Sequence, residues 1–378
     1  MRTIDAEQAR LMRARTQGIG GGLRGASVAD VMDRAFAVQA QDASAAALGL
    51  RARAAGLTAE AVTRAADVER SVVRGWFMRG TLYLVSASDL RWLTRLLGPI
   101  FLKLSVRRYR ELGLDDGALA HAEHLITSAL ATEGPLTRAE LAERLAGAGL
   151  DPRGQVPFHL VRRCALLGQI CHGPTRDDGE ATFVLLDDWL PADDRPTLEA
   201  GSAAVELARR YLAAHAPAAL EDFTTWSGLP AAMAHRAWKA LADAEETVEC
   251  EVAGQPCALP TERAAETPEP SLDVRLLPAY DNYLVGYRTR ALSVAAPHER
   301  RVWPGGGQIR PTVTVDGLAC ATWSRRNGGR TVLLTPFGDL PDDVLTGIAA
   351  EEADIARFLG TGPYGGDREH NHRLTERL

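Results

Sequence analysis

Gln39 and Gln41 stand one residue apart in the stretch 35–53, AFAVQAQDASAAALGLRAR, beside Asp42. Their neighbours are almost all alanine, valine and leucine, so the stretch reads as packed helix. A primary amide buried there without hydrogen-bond partners costs about 1–3 kcal/mol, and two of them need a reason. An amide neither gains nor loses a proton near neutral pH, which excludes it as a general base. On a regular helix residues i and i+2 point about 200° apart and cannot share a pocket. They can if the helix ends there. Asp42 followed by ASAAA has the form of a helix stop and a fresh N-cap, which puts both amides at a junction between elements.

Other suggestive groupings have plainer explanations. GGGLRG at 20–25 has the spacing GxGxxG, but it follows the helical AEQARLMRARTQ and not a strand, so it reads as a linker. No GxxxxGK[ST] loop and no GxSxG elbow occurs. His121 and His124, three apart on an expected helix, lack a carboxylate or thiolate at ligand spacing, and His370 and His372 lie in the terminal segment. The five cysteines, Cys164, Cys171, Cys250, Cys257 and Cys320, form no CxxC pair and read as buried thiols. No metal and no cofactor is expected. Trp76 and Trp238 sit at helical spacing, as core residues do. Arg325 and Arg326 flank an expected hairpin tip, where they can enter a groove or simply decorate a solvated turn.

A chain of 378 residues with 46% apolar content suffices for two or three globular domains. No apolar run is long enough to span a bilayer, and the start MRTIDAEQAR lacks a signal-peptide core, so a cytoplasmic protein is expected. Lys103 and Lys239 are the only lysines among 43 basic residues, a bias of a GC-rich genome more than of function. The net charge of -6 hides an asymmetry: 1–110 holds 18 Lys+Arg against 9 Asp+Glu, a balance of +9, whereas 181–270 holds 6 against 16, a balance of -10. The basic end is the face for a polyanion, or its arginines merely solubilise helices.

The chain also repeats itself. Over 125–190 the pattern is helix, turn, a helix opened by Thr137 with Glu140 three residues on, a longer helix, then two short strands, QICHG and ATFVLL, around TRDDGE. That is a winged helix. The order returns at 203–260, where the copy is acidic, and an earlier copy fits 28–88, opened by Ser27 and Asp30, continuing as helix through VMDRAFAVQAQ and AEAVTRAADVERSVVRGWFM and ending in the strand RGTLYLVSA. From 271 the character changes to β-rich runs with turns at Asp316-Gly317 and Asn327-Gly328-Gly329, closed by one helix. The expected fold is mainly α with small β wings (α+β): three tandem winged-helix motifs at 1–120, 121–195 and 196–265, and a C-terminal α+β domain with hairpins at 266–378.

VQAQD with LGLRAR, VVRGWFMRGTLYLVSASDLRWL, LLPAYDNYLVGYRTR, and PTVTVDG with ATW together resemble, in this order and over nearly the whole chain, the winged helix DNA-binding domain family that contains the AlkZ and YcaQ DNA glycosylases. The resemblance implies a stack of three winged helices with a basic channel and a Gln-x-Gln catalytic centre, here Gln39 and Gln41. Because the YcaQ branch has Asp at the second position, Gln41 points to the AlkZ branch, whose members excise N7-alkylguanine lesions made by genotoxic natural products, some of them unhooking interstrand crosslinks. This implies an antibiotic self-resistance or DNA-repair enzyme acting on double-stranded DNA as a monomer. One departure is Tyr83, where many relatives have His, and it bears on substrate choice. Arg51, Arg53, Arg79, Arg325 and Arg326 are the expected DNA contacts. With no lysine near the motif to form a Schiff base, a monofunctional glycosylase is expected. The rival reading is a winged-helix transcriptional regulator, which calls for a basic recognition helix that VPFHLVRRCALLGQ and AAMAHRAWKALADA hardly supply; a drug-sequestering winged-helix protein is a third.

Overall fold

The computed structural model describes residues 2–20, 27–151, 153–177, 179–191, 197–326 and 331–360. It is mostly helical with several small sheets, largely antiparallel. Contacts divide the chain into two compact units, Thr63–Ala203, and Met1–Val62 joined with Ala204–Leu378. Among the described residues no helix is long and apolar enough to cross a membrane.

In the first of these units the strands Val72–Trp76 and Leu82–Ser86 pair antiparallel, and the long helix Ala87–Glu111 follows. The helix expected to run through Trp76 stops at Asp67, and the chain turns at Arg70, φ 53°. Val72 and Val73, β-branched, fit a pleated surface better than a helix. Trp76 accordingly packs from a strand, stacked on Phe183 at 6.2 Å. Next come Asp116–Glu133, the short strand Leu136–Thr137, Arg138–Gly147 and Val156–Leu166, then the hairpin of Ile170–Thr175 and Ala181–Leu185. The expected capping box is present: Thr137 accepts from the Glu140 amide while the Glu140 carboxylate accepts from the Thr137 amide. Ala87–Glu111 and Val156–Leu166 cross closely at Gly98, where a Cβ would lie 2.1 Å from the Leu166 carbonyl oxygen, so only glycine fits.

The first helix of the other unit is Ala6–Thr16. Val28–Ala35 follows, closed at its start by the expected Ser27–Asp30 box, and ends at Phe36, φ 62°. A three-residue strand, Ala37–Gln39, then leads to the helix Ala43–Arg53, capped by Asp42. Further on, Ala200–His215, an isolated bridge between Ala218 and Ala258, Leu220–Ser227, Ala231–Asp243 and the hairpin of Thr247–Val252 with Gln255–Pro260 repeat the winged-helix order, and Arg2–Ile4 adds a parallel strand to that hairpin. A four-stranded antiparallel sheet runs Val274–Leu277, Thr312–Val315, Leu318–Arg326 and Thr331–Pro336, with the expected turn at Asp316-Gly317, and the helix Asp342–Phe358 packs on its first strand. Leu277, Tyr283, Leu284, Val285 and Ile309 share one core with Ala14, Ile19 and Ala52, which fastens the sheet to the N-terminal helices.

Two histidines tie the cores to pH. His172, between Trp76 and Phe183, bonds the Arg74 carbonyl through Nδ1 at 3.1 Å, and His215 stacks on Tyr211 at 4.5 Å. Burial pushes each imidazole down from 6.5 to about 3. Each is therefore neutral when folded yet takes up a proton when unfolded below pH 6.5, so the stability it contributes is present above that pH and is lost as pH falls towards 3. Between pH 7 and pH 5 each histidine should cost roughly 2 kcal/mol of stability. Urea midpoints at the two pH values, for the native chain and for His215→Gln, check this: the variant should lose less on acidification, and an equal loss contradicts it.

Candidate active site

Gln39 is the last residue of the Ala37–Gln39 strand and is half-buried; Gln41, two further on, is exposed. The junction foreseen from the sequence is real, but it joins strand to helix. The strand ends at Gln39 and Gln41 lies in a bend, so the separation that a regular helix imposes on residues i and i+2 does not apply to this pair. The neighbouring carboxylate has another task. Asp42 Oδ1 accepts from the amides of Ser44 at 2.8 Å and Ala45 at 3.1 Å, and from the Ser44 hydroxyl at 2.8 Å, which caps the helix.

The strand is pinned by a residue more than 240 positions away. The amide of Gln39 donates to Asn282 Oδ1 at 2.9 Å, and Asn282 Nδ2 donates to the Ala37 carbonyl. Asn282 is 1% exposed. Next to it Asp281 receives both arms of Arg53, Nη1 to Oδ2 at 2.8 Å and Nη2 to Oδ1 at 2.7 Å, and also accepts from the Tyr283 amide at 2.9 Å. Neither acidic nor amide member of this pair was singled out from the sequence, although the Asp-Asn within LLPAYDNYLVGY, a polar pair in an apolar run, was a usable signal.

Arg51 and Arg53, expected at phosphates, require correction. They are 0% and 2% exposed. Arg51 donates to Glu351 Oε2 at 2.9 Å, Asp354 Oδ2 at 3.0 Å and the Leu276 carbonyl at 3.0 Å; Arg53 adds Gln17 Oε1 and the Gly49 carbonyl, both at 3.0 Å, to its fork on Asp281. Desolvated arginines held by buried carboxylates are fasteners of the fold. Arg79, half-buried with φ 56°, donates to the Tyr83 hydroxyl at 3.1 Å, and Tyr83 is 0% exposed. Tyr83 thus supports an arginine from inside its sheet.

Arg325 and Arg326 lie near the end of the Leu318–Arg326 strand, paired with Val332 and Thr331, and the turn expected at Asn327-Gly328-Gly329 falls outside the described residues. Arg326 is exposed; Arg325 is half-buried, and burial lowers its pKa against the opposing pull of the Asp42 carboxylate. The basic strand end is therefore within electrostatic reach of the residue that follows Gln41.

His121 and His124 are exposed on Asp116–Glu133, while residues 21–25 of the glycine run and His370 and His372 lie outside the described residues. Among the described residues no three His, Cys, Asp or Glu side chains are grouped as a metal site. All five cysteines are free; four are buried and Cys320 is half-buried, and burial raises every thiol, Cys164 to about 12.

Winged-helix order and two uncharged amides at a strand-to-helix joint define the class, a winged-helix protein whose candidate centre has no ionisable side chain of its own. The chain belongs to the AlkZ-like DNA glycosylase family: the family model described as DNA glycosylase AlkZ-like matches residues 32–358. It is 30% identical over 354 residues to an interstrand DNA cross-link repair glycosylase of Streptomyces sahachiroi, across 88% of this chain and 91% of that one. Its fold is similar to the solved Streptomyces sahachiroi DNA glycosylase AlkZ, with a TM-score of 0.81 and 26% identity over 94% of this chain and 97% of that one.

Proposed function

We propose that the protein is a monofunctional DNA glycosylase that excises N7-alkylguanine from double-stranded DNA as a monomer, bulky genotoxin adducts and the interstrand crosslinks they form included. One observation carries the reading: the pair Gln39 and Gln41 is uncharged, and the adjoining Asp42 carboxylate is engaged in capping. Alkylation at N7 leaves the base cationic, so the bond from N9 to C1′ is activated before the enzyme meets it. What remains is positioning and charge stabilisation. The amide oxygens of Gln39 and Gln41 hold a water beneath C1′ and face the positive charge that develops on the sugar. The N9–C1′ electron pair returns to the purine and cancels its charge, the water oxygen bonds C1′, and the surplus proton leaves to solvent.

Amides in place of carboxylates restrict the chemistry to labile, cationic lesions. Arg79, Arg325 and Arg326 are the proposed phosphate contacts, Arg325 being favoured by its reach to the Asp42 charge. The working organisation is three winged-helix modules at 1–120, 121–195 and 196–265 with a C-terminal α+β domain at 266–378.

The test is duplex DNA carrying N7-methylguanine or a bulky N7 adduct, incubated with the full chain. Alkali-labile abasic sites are expected, with no strand break before alkali and no adduct trapped by borohydride. Intact lesions after prolonged incubation overturn the glycosylase reading, and a trapped adduct overturns its monofunctional part.

A further inference from the structure

An amide that must hold a water at a fixed height needs a fixed backbone, and the strand carrying Gln39 is only three residues long. Resting on the reading of the Gln pair above, we infer that Asn282 is a positioning residue for the Gln39 amide, acting as a one-residue strand along the free edge of Ala37–Gln39, which is the edge strand of its sheet. The backbone groups of Ala37 and Gln39 emerge on one edge of the strand, because direction alternates with every residue. A parallel partner strand would meet that edge with one N–H and one C=O from the same residue. The carboxamide of Asn282 supplies this pair: Nδ2 donates to the Ala37 carbonyl and Oδ1 accepts from the Gln39 amide at 2.9 Å. Reversing the amide would set donor against donor and acceptor against acceptor, so its orientation is fixed by the strand it holds.

Asn282 is itself immobilised. It starts the short helix Asn282–Val285, whose cap, Asp281, is gripped by Arg53 from the end of Ala43–Arg53. That helix begins directly after Asp42. The Asp-Asn pair therefore fixes the chain on both sides of residues 39–41: the strand before through Asn282, the helix after through Asp281. Other side chains fail on chemical grounds. Aspartate keeps an acceptor for the Gln39 amide but opposes the Ala37 carbonyl with a second acceptor, and alanine offers neither group.

The experiment uses the full chain with Asn282→Ala and Asn282→Asp. Hydrogen exchange is read without DNA on the peptide spanning residues 36–42 and on the helix 43–53. Single-turnover excision of N7-methylguanine is read at rising enzyme concentration. Expected for Asn282→Ala is at least tenfold faster exchange at the Gln39 amide with the helix amides still protected. Its maximal excision rate should fall at least about tenfold while the half-saturating concentration moves less than about twofold, since a misplacement near 1 Å at a reacting centre costs up to about 100-fold. Asn282→Asp should keep the fold and show the same split in milder form. Because Asn282 acts through Gln39, the double variant with Gln39→Ala should be no slower than Gln39→Ala alone.

Unchanged exchange at the Gln39 amide, or losses that multiply in the double variant, overturn the inference. Should Asn282→Ala fail to fold, Asn282→Asp decides alone: wild-type maximal rate in it overturns the positioning role. A native chain without excision activity overturns the functional reading instead, and the exchange arm still determines whether Asn282 holds the strand.

Discussion

Gln39→Ala and Gln41→Ala should each lower the single-turnover rate of N7-alkylguanine excision by about 100- to 1,000-fold, the range found when one preorganised dipole facing developing charge is removed. Thermal stability and affinity for lesion-bearing duplex should stay close to native. Gln41 is exposed and Gln39 half-buried, so truncation opens no large cavity, and the groups that hold the strand are backbone atoms which alanine retains. The two losses should not multiply fully, because both amides grip the same water. Parallel measurements of abasic-site yield, melting midpoint and DNA affinity decide the matter. Native rates in both variants end the catalytic assignment; a rate loss that tracks a fall in melting temperature reduces it to a folding effect.

The second large effect concerns stability. Arg53→Ala leaves the Asp281 carboxylate, 3% exposed, without its bidentate partner, and breaking a buried pair from one side costs about 3–5 kcal/mol. Arg51→Ala should be similar, since Glu351 is 4% exposed. A phosphate contact behaves differently: its removal leaves the fold alone and makes the slope of log affinity against log salt shallower by about one ion. Urea midpoints together with salt titrations of the folded fraction separate the two roles. A native midpoint with a reduced salt slope would return both arginines to the DNA.

Much of the frame could be read from local chemistry. The boxes at Ser27–Asp30 and Thr137–Glu140 announced helix starts, the Asp316-Gly317 turn announced a hairpin, and the regular alternation of helices with hairpins announced repeats. The misreadings have a common cause in distance. Nothing near Arg51 and Arg53 says whether their charge meets water or a carboxylate, because the partners lie 300 and 228 positions away. Asn282, 243 positions from Gln39, was invisible as a support for the same reason. The strand Ala37–Gln39 was hidden more locally: Phe36 ends its helix at φ 62°, a conformation bulky residues seldom adopt, and the alanine-rich flanks argue for helix on either side.

The joint between strand and helix differs between two of the repeats. At Thr137 the last strand residue is itself the helix cap, whereas after Gln39 the cap comes only at Asp42, leaving Ala40 and Gln41 between. Position 39 is anchored through its backbone on Asn282, and position 41 lies in the two-residue stretch before the cap. A change of side chain at position 41, an amide for a carboxylate or a shorter arm, leaves the cap at Asp42 and the Asn282 contacts that hold position 39 in place. Adaptation to a new kind of damage would begin there.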